Sequence, residues 1–241
     1  MQQINEYTDL RLKAFCIHCG VPLVKENRSK DHVPSQCLLC PPYPDQQPKV
    51  WICKSCNNGF SKDEQYLIAL IGCVLSGTSE PSSMKVDAAR RVLSRSEKLK
   101  QRIEEARQEI TLSAGNSCVT WHPELERVNR VILKNARGHC MFELGEPMLD
   151  APSEVWSTPL LSMTKEQRSA FESAEPGLNF SAWPEVGSRT MTRLISGQDL
   201  VGPWIVVQDR VYRYSVEHQG ERVLVKTILY EYLATQVIWN S

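Results

Sequence analysis

The 241-residue sequence has no net charge, because 28 Lys and Arg balance 28 Asp and Glu. Without a global field the chain cannot attract a polyanion as a whole, so any nucleic-acid contact must come from a local basic face. It also lacks a long apolar run: the longest, Tyr66 to Leu75, falls far short of the roughly 20 residues that span a bilayer. No membrane partner is expected. The stretch Met1 to Leu10 has neither the basic start nor the apolar centre of a secretory signal, which predicts a cytoplasmic protein. Thiols stay reduced in that compartment, so nine cysteines need an explanation other than disulfides, and metal binding is the foremost one.

The remaining composition is that of a folded protein. A hydrophobic fraction of 41% and a charged fraction of 23% match ordinary globular usage and exclude wholesale disorder. The length fits two domains.

Six cysteines fall between Cys16 and Cys56 as three C-x-x-C pairs: Cys16/Cys19, Cys37/Cys40 and Cys53/Cys56. A tetrahedral zinc site needs four soft or borderline ligands, and two such hooks supply them from tight turns. Cys16, Cys19, Cys53 and Cys56 are the expected ligands. The first hook ends in Gly20, the residue such a turn favours, and the second lies just before a helix. Cys37/Cys40 either packs as ordinary core, the preferred reading given the intervening leucines and Pro41-Pro42, or replaces a hook or binds a second ion. His18 is read as a neighbour of the site rather than a ligand.

Ser61 and Glu64 have capping-box spacing, and Leu67, Ile68, Leu70, Ile71, Val74 and Leu75 then predict a helix ending near Gly77. A linker with Pro81 follows. Ala89, Val92, Ser96, Leu99, Ile103, Ala106 and Ile110 mark one helix face. The opposite face is basic, with Lys85, Arg90, Arg91, Arg95, Lys98, Lys100, Arg102 and Arg107. That face is read as solvated, with phosphate contact or self-association as alternatives. After a turn at Ser113 to Ser117, a helix is expected over Leu125, Val128, Ile132 and Ala136 up to Gly138. Residues 145–202 read as short elements and loops carrying Trp156, Phe171, Phe180 and Trp183. Trp204 to Val216, a turn at 218–221 and Arg222 to Thr227 form a hairpin. Ile228 to Ile238 fits either a strand or a short helix. His122 and His139, and the set Trp204, Tyr212, Tyr214 and Tyr230, are read as structural.

Lys30-Asp31-His32-Val33-Pro34 lies between the hooks, and Asn57-Asn58-Gly59-Phe60-Ser61-Lys62-Asp63-Glu64 follows the last cysteine. Over about residues 14 to 76 this pattern resembles the HNH endonuclease family, whose members with two C-x-x-C hooks carry Asp-His at a strand end and Asn or His directly after the last hook cysteine. The resemblance implies a ββα-metal fold with a structural zinc in the hooks. It also implies a catalytic Mg²⁺ or Mn²⁺ held by Asp31 and Asn57, with His32 activating water. Asn58, Asp63 and Glu64 are further candidate ligands. The residue types suit phosphodiester hydrolysis, since a neutral imidazole can take the water proton while hard oxygen donors hold Mg²⁺ against the phosphate. Two departures stand out. The family's middle Asn is replaced by Gln46-Gln47-Pro48, where a glutamine could hold the loop carrying His32, and the Lys usually found past the hook is displaced by Phe60. The segments Lys134-Asn-Ala-Arg-Gly-His139 and Gly202-Pro-Trp-Ile-Val-Val207 resemble parts appended to bacterial HNH proteins.

The expected architecture is α+β. It comprises a zinc-stapled nuclease domain over 1–78, a linker and amphipathic helix over 79–116, and an α+β domain with a terminal hairpin over 117–241 that positions substrate or partner. The expected function is metal-dependent cleavage of nucleic acid, DNA foremost, in bacterial defence or a mobile element. The alternative, motivated by the missing Asn and the neutral charge, is a non-catalytic zinc module that recruits nucleic acid or a protein. Self-association is assigned to the 85–110 helix or to the C-terminal domain.

Overall fold

The structure, a computed structural model, describes residue 4 and residues 13–111, 117–173 and 186–240. Apart from Ile4, the stretch Met1 to Leu10 lies outside the described residues, as do most of the expected turn from Ser113 and the aromatics Phe180 and Trp183. The fold is α+β. Among the described residues no helix is long and apolar enough to cross a membrane.

The chain forms two compact units, residues 1–59 with 132–241, and residues 60–131. They cut across the expected segments 1–78, 79–116 and 117–241, because two long helices, α1 (Lys54–Ser76) and α4 (Leu125–Glu143), each run through a boundary.

In the first unit, strands β1 (Arg28–His32) and β2 (Lys49–Cys53) pair antiparallel, from Arg28 opposite Cys53 to His32 opposite Lys49. Helix α1 follows at once, which gives the order ββα. Val50 and Ile52 point inward and pack with Cys16, Ile17, Val33 and Met141. Helix α1 begins two turns before Ser61. The Cys53 sulfur accepts the Cys56 N–H at 3.3 Å and so satisfies one of the unpaired donors of the first turn. The Ser61/Glu64 pair therefore lies inside the helix and does not start it. Gly77, at φ 72°, closes the helix near the expected position, since a left-handed residue there is tolerated best without a Cβ.

The second half of α4 is covered on several sides. Gly138 is required there, because a Cβ at this position would sit 2.8 Å from Val33 Cγ2. On another side stands a six-stranded antiparallel sheet of order β5-β10-β9-β8-β7-β6. Its strands are β5 (Glu154–Pro159), β6 (Leu200–Val201), β7 (Trp204–Gln208), β8 (Tyr212–Gln219), β9 (Arg222–Leu229) and β10 (Leu233–Asn240). The expected hairpin is its β8–β9 centre, turned at Gly220 with φ 64°. Trp204 to Val216 is two strands broken by a turn with Arg210 at φ 56°. Ile228 to Ile238 spans the end of β9, a second turn and most of β10, which settles that ambiguity as strand.

The two faces of this sheet carry different chemistry. On one, His139 of α4 stacks on Tyr214 at 3.7 Å between centroids and shares a 2.9 Å hydrogen bond with the Tyr212 hydroxyl. Glu143 of α4 accepts from Tyr214 Oη at 2.6 Å and from Arg193 Nε at 2.9 Å. Complete burial pushes His139 down to about 3, so it is a neutral core histidine, as expected. On the other face Trp204, Phe171, Leu160, Ile228 and Ala234 form an apolar cluster beneath α5 (Lys165–Glu172). Trp204, Tyr212 and Tyr214 are thus core residues. Helix α6 (Arg189–Ser196) supplies Arg193.

The second unit contains most of α1, α2 (Asp87–Arg95), α3 (Glu97–Glu105), a hairpin of β3 (Arg107–Thr111) with β4 (Ser117–Trp121), and the first turns of α4. A single helix over 85–110 is not formed. Ser96, at φ −136° and ψ 87°, breaks it and caps α3 by accepting the Leu99 N–H; Ile110 lies on an exposed strand. Four of the basic residues are ion-paired, Arg90 with Asp87, Lys100 with Glu80, Arg102 with Glu124 and Arg107 with Glu104. This fits a solvated face. Buried Asp63 receives Arg127 and Arg130, both at 2.7 Å, so it is engaged by cations of its own unit.

The contact at Gly138 gives a test. Gly138→Ala is expected to lower unfolding free energy by about 1–3 kcal/mol through overpacking against Val33. At Gly59 an added methyl meets nothing within 4 Å, so Gly59→Ala should raise stability by up to about 1 kcal/mol through helix propensity. Urea denaturation compares them, and equal shifts would contradict this packing.

Candidate metal centre

The first hook is a tight turn closed by backbone bonds. Gly20 N–H donates to the Cys16 carbonyl at 2.8 Å and Cys16 N–H to the Val21 carbonyl at 2.9 Å, with Gly20 at φ 70°. The second hook is the end of β2 and the first turn of α1. Together they place the sulfurs of Cys16, Cys19, Cys53 and Cys56 within 4.8 Å of one another. The Cys19–Cys53 pair lies at 3.7 Å. A tetrahedron of Zn–S bonds of about 2.3 Å has an S–S edge of about 3.8 Å, so the four thiols fit one zinc ion.

The electrostatics of the cluster agree. Burial and the Cys53 and Cys19 thiols push Cys56 well above its usual range. At Cys53 burial also pushes upward but is outweighed by the Cys56 N–H and the neighbouring thiols, which hold it below. Four such groups in one place crowd negative charge as they deprotonate, and a divalent cation relieves that crowding. Arg137 of α4 stands close enough to Cys16 and Cys56 to feel their charge. Its guanidinium is fixed by the carbonyls of His18 at 3.2 Å, Leu149 at 3.1 Å and Asp150 at 3.0 Å. His18 lies outside the sulfur group, as expected.

Cys37 and Cys40 also lie outside it. Their loop docks on the C-terminal sheet, where the Gln208 side chain accepts from Cys40 N–H at 2.8 Å and donates to the Cys40 carbonyl at 2.6 Å. The Cys40 sulfur is 3.6 Å from the Tyr230 hydroxyl. This matches the packing reading of the third pair.

Of the motif residues between and after the hooks, Asp31 and His32 lie on β1 and Asn57 in the first turn of α1. Successive residues of a strand project to opposite faces. Asp31 therefore shares the inner face with Ser29, while His32 shares the outer face with Lys30, Arg28 and, across the ladder, Lys49 and Trp51. Asp31 is buried, and both of its oxygens lie 3.0 Å from Lys134 Nζ of α4, which also donates to Ser35 Oγ at 2.8 Å. The Asp31 carboxylate is thus engaged by an ammonium. Asn57 donates to Ser29 Oγ at 3.0 Å, about 7 Å along the strand from Asp31. Burial, then the Lys49 and Lys134 charges, hold His32 below the ordinary imidazole range, so it is neutral near pH 7. Asp31 is engaged by Lys134 and Asn57 by Ser29, and among the described residues no His/Asp metal-holding group is evident beside the four cysteines.

Gln47, in the place of the missing Asn, donates to the Pro34 carbonyl at 2.6 Å. It holds the loop after His32, as the sequence suggested. The residue that sequence reasoning missed is Lys134, which is 103 positions from Asp31. Its only signal was a lysine among the apolar positions of a helix.

About one zinc per chain is expected in purified protein, lost in Cys16→Ser and Cys53→Ser and retained in Cys37→Ser. Mass spectrometry of the metal content decides, and zinc retained in both hook variants would contradict the assignment. Lys134→Met is expected to cost about 3–5 kcal/mol by removing the ammonium that offsets a buried carboxylate, with most of the loss recovered in Asp31→Asn/Lys134→Met; thermal unfolding that shows no recovery would overturn the ion pair as the cause. No protein-family model matches this chain, and comparison with curated proteins and with solved structures likewise returns no match.

Proposed function

We propose that this chain is a zinc-stapled ββα module that recruits nucleic acid without cutting it. The observation that supports this most is the split of β1 and β2 into two faces. The inner face commits Asp31 to Lys134. The outer face carries Arg28, Lys30, His32 and Lys49 around an exposed Trp51. Arg28 and Lys30 lie over the Trp51 ring at 4.6 and 5.2 Å. The outward positions of the two strands include no carboxylate.

Such a face supplies both parts of sequence-tolerant binding. Lys and Arg neutralise phosphates and release counterions, and an exposed indole stacks on bases, worth about 1–3 kcal/mol per base. With no net charge the attraction must come from local faces such as this one, so binding should depend strongly on salt. The nuclease expectation from motif resemblance requires Asp31 to hold a metal ion, and its pairing with Lys134 favours the recruiting reading.

Fluorescence anisotropy with labelled single-stranded and duplex DNA and RNA tests this. Lys30→Gln and Lys49→Gln are expected to weaken binding of all sequences alike and to reduce the single-strand salt slope by about 0.7 each. Trp51→Ala should weaken single strands more than duplex. Plasmid incubated with Mg²⁺ or Mn²⁺ should stay intact with wild type and His32→Ala alike. Metal-dependent cleavage that disappears in His32→Ala would overturn the non-catalytic reading, and unchanged affinity in all three face variants would overturn recruitment through this face.

A further inference from the structure

Beside the Trp51 face lies a cavity of about 190 Å³, entirely within the first unit and lined by Lys13, Phe15, Lys49, Trp51, Phe142 and Arg189, among others. Among the described residues that line it there are three cations and no carboxylate. Its volume is below the roughly 300 Å³ at which sites for drug-sized ligands begin, so it suits one small group rather than a length of duplex.

The cationic wall is held in place before any ligand arrives. The Arg189 guanidinium stacks on Phe142 at 3.9 Å and donates to the carbonyls of Ile4 at 2.9 Å and Phe142 at 2.6 Å. Burial, followed by the nearby charge of Arg189, pulls Lys13 below its usual range. Arg189 also feels the Glu143 carboxylate, yet Lys13 and Arg189 still repel each other in a partly dry setting, an arrangement that a bound anion relieves. A terminal phosphate monoester, carrying about −1.5 to −2 charges at pH 7, matches three cations better than an internal phosphodiester with a single charge. The aromatic side chains Phe15 and Trp51 both line this cavity and are exposed, which supplies aromatic surface for a base.

We infer that this cavity seats the phosphate of a nucleoside monophosphate group on Lys13, Lys49 and Arg189, the attached nucleoside lying at its mouth against the exposed Phe15 and Trp51. The group is either a free nucleotide or the phosphorylated end of a single strand. The strand-end source rests on the recruitment reading, because Lys49 and Trp51 belong to both surfaces and would lead the rest of the strand onto the outer face.

The test uses the zinc-loaded full chain with nucleoside 5′-monophosphates, inorganic phosphate, and short single strands bearing or lacking a terminal phosphate. The terminal phosphate is expected to tighten strand binding roughly tenfold. Lys13→Gln should abolish that difference, with melting temperature confirming that the variant folds and Arg189→Gln as a second variant. Monophosphates should quench tryptophan fluorescence in wild type and not in Trp51→Phe, whereas inorganic phosphate should compete without quenching. Equal binding of both strand ends, with Trp51→Ala and Lys30→Gln weakening each, would overturn the cavity assignment and leave recruitment standing. Binding of free monophosphates lost in Lys13→Gln, with no strand bound, would support the cavity and overturn recruitment. Absence of binding to every probe would overturn both.

Discussion

The first unit depends on one constraint, the convergence of four thiols from two segments, with Cys19 and Cys53 standing 34 residues apart in sequence. A hairpin of two five-residue strands is too small to be stable by itself. Bringing Cys16/Cys19 against Cys53/Cys56 closes the intervening loop and fixes the hairpin on the core formed by Ile17, Val33, Val50 and Ile52. Zinc-binding energy at such a site is folding energy, because the unfolded chain has no preformed tetrahedron. Cys53 has a second role, since its sulfur also caps α1, so the metal hook and the start of the helix are one device.

Helix α4 carries that constraint into the rest of the unit. Over three turns, Lys134 meets Asp31, Asn135 accepts from Ser35 N–H at 2.8 Å, Arg137 approaches the thiols, Gly138 admits Val33, His139 stacks on Tyr214 and Glu143 takes Arg193. Buried charges are costly when single and tolerable when paired with good geometry. Here Lys134 is paired with Asp31 and Glu143 with Arg193. The same pairing shapes the chemistry, because Lys134 commits the inward carboxylate to structure, while β1 and β2 turn their basic and aromatic residues outward around Trp51.

Local signals in the sequence were legible and long-range pairings were not. The hooks, the end of α1 at Gly77, the body of α4 and the Gly220 turn each follow from spacing or from a residue whose backbone preference is strong. Gln47 was identified because it stood where another amide was expected. The break at Ser96 was hidden because the apolar stripe keeps its three-four spacing across the residue that interrupts the helix. Ile110 shows the same limit, falling at helical spacing yet lying on a strand. Strand β5 was missed because a short half-buried edge strand has no clean alternation. The Lys134–Asp31 pair lies beyond any local pattern, and it bears most directly on what the site can do.

The tetrathiolate centre is tested most directly by X-ray absorption at the zinc edge of the purified full chain. The account predicts a first shell of four sulfurs at about 2.3 Å and no lighter ligand. A shell containing nitrogen or oxygen, or fewer than four sulfurs, would contradict it.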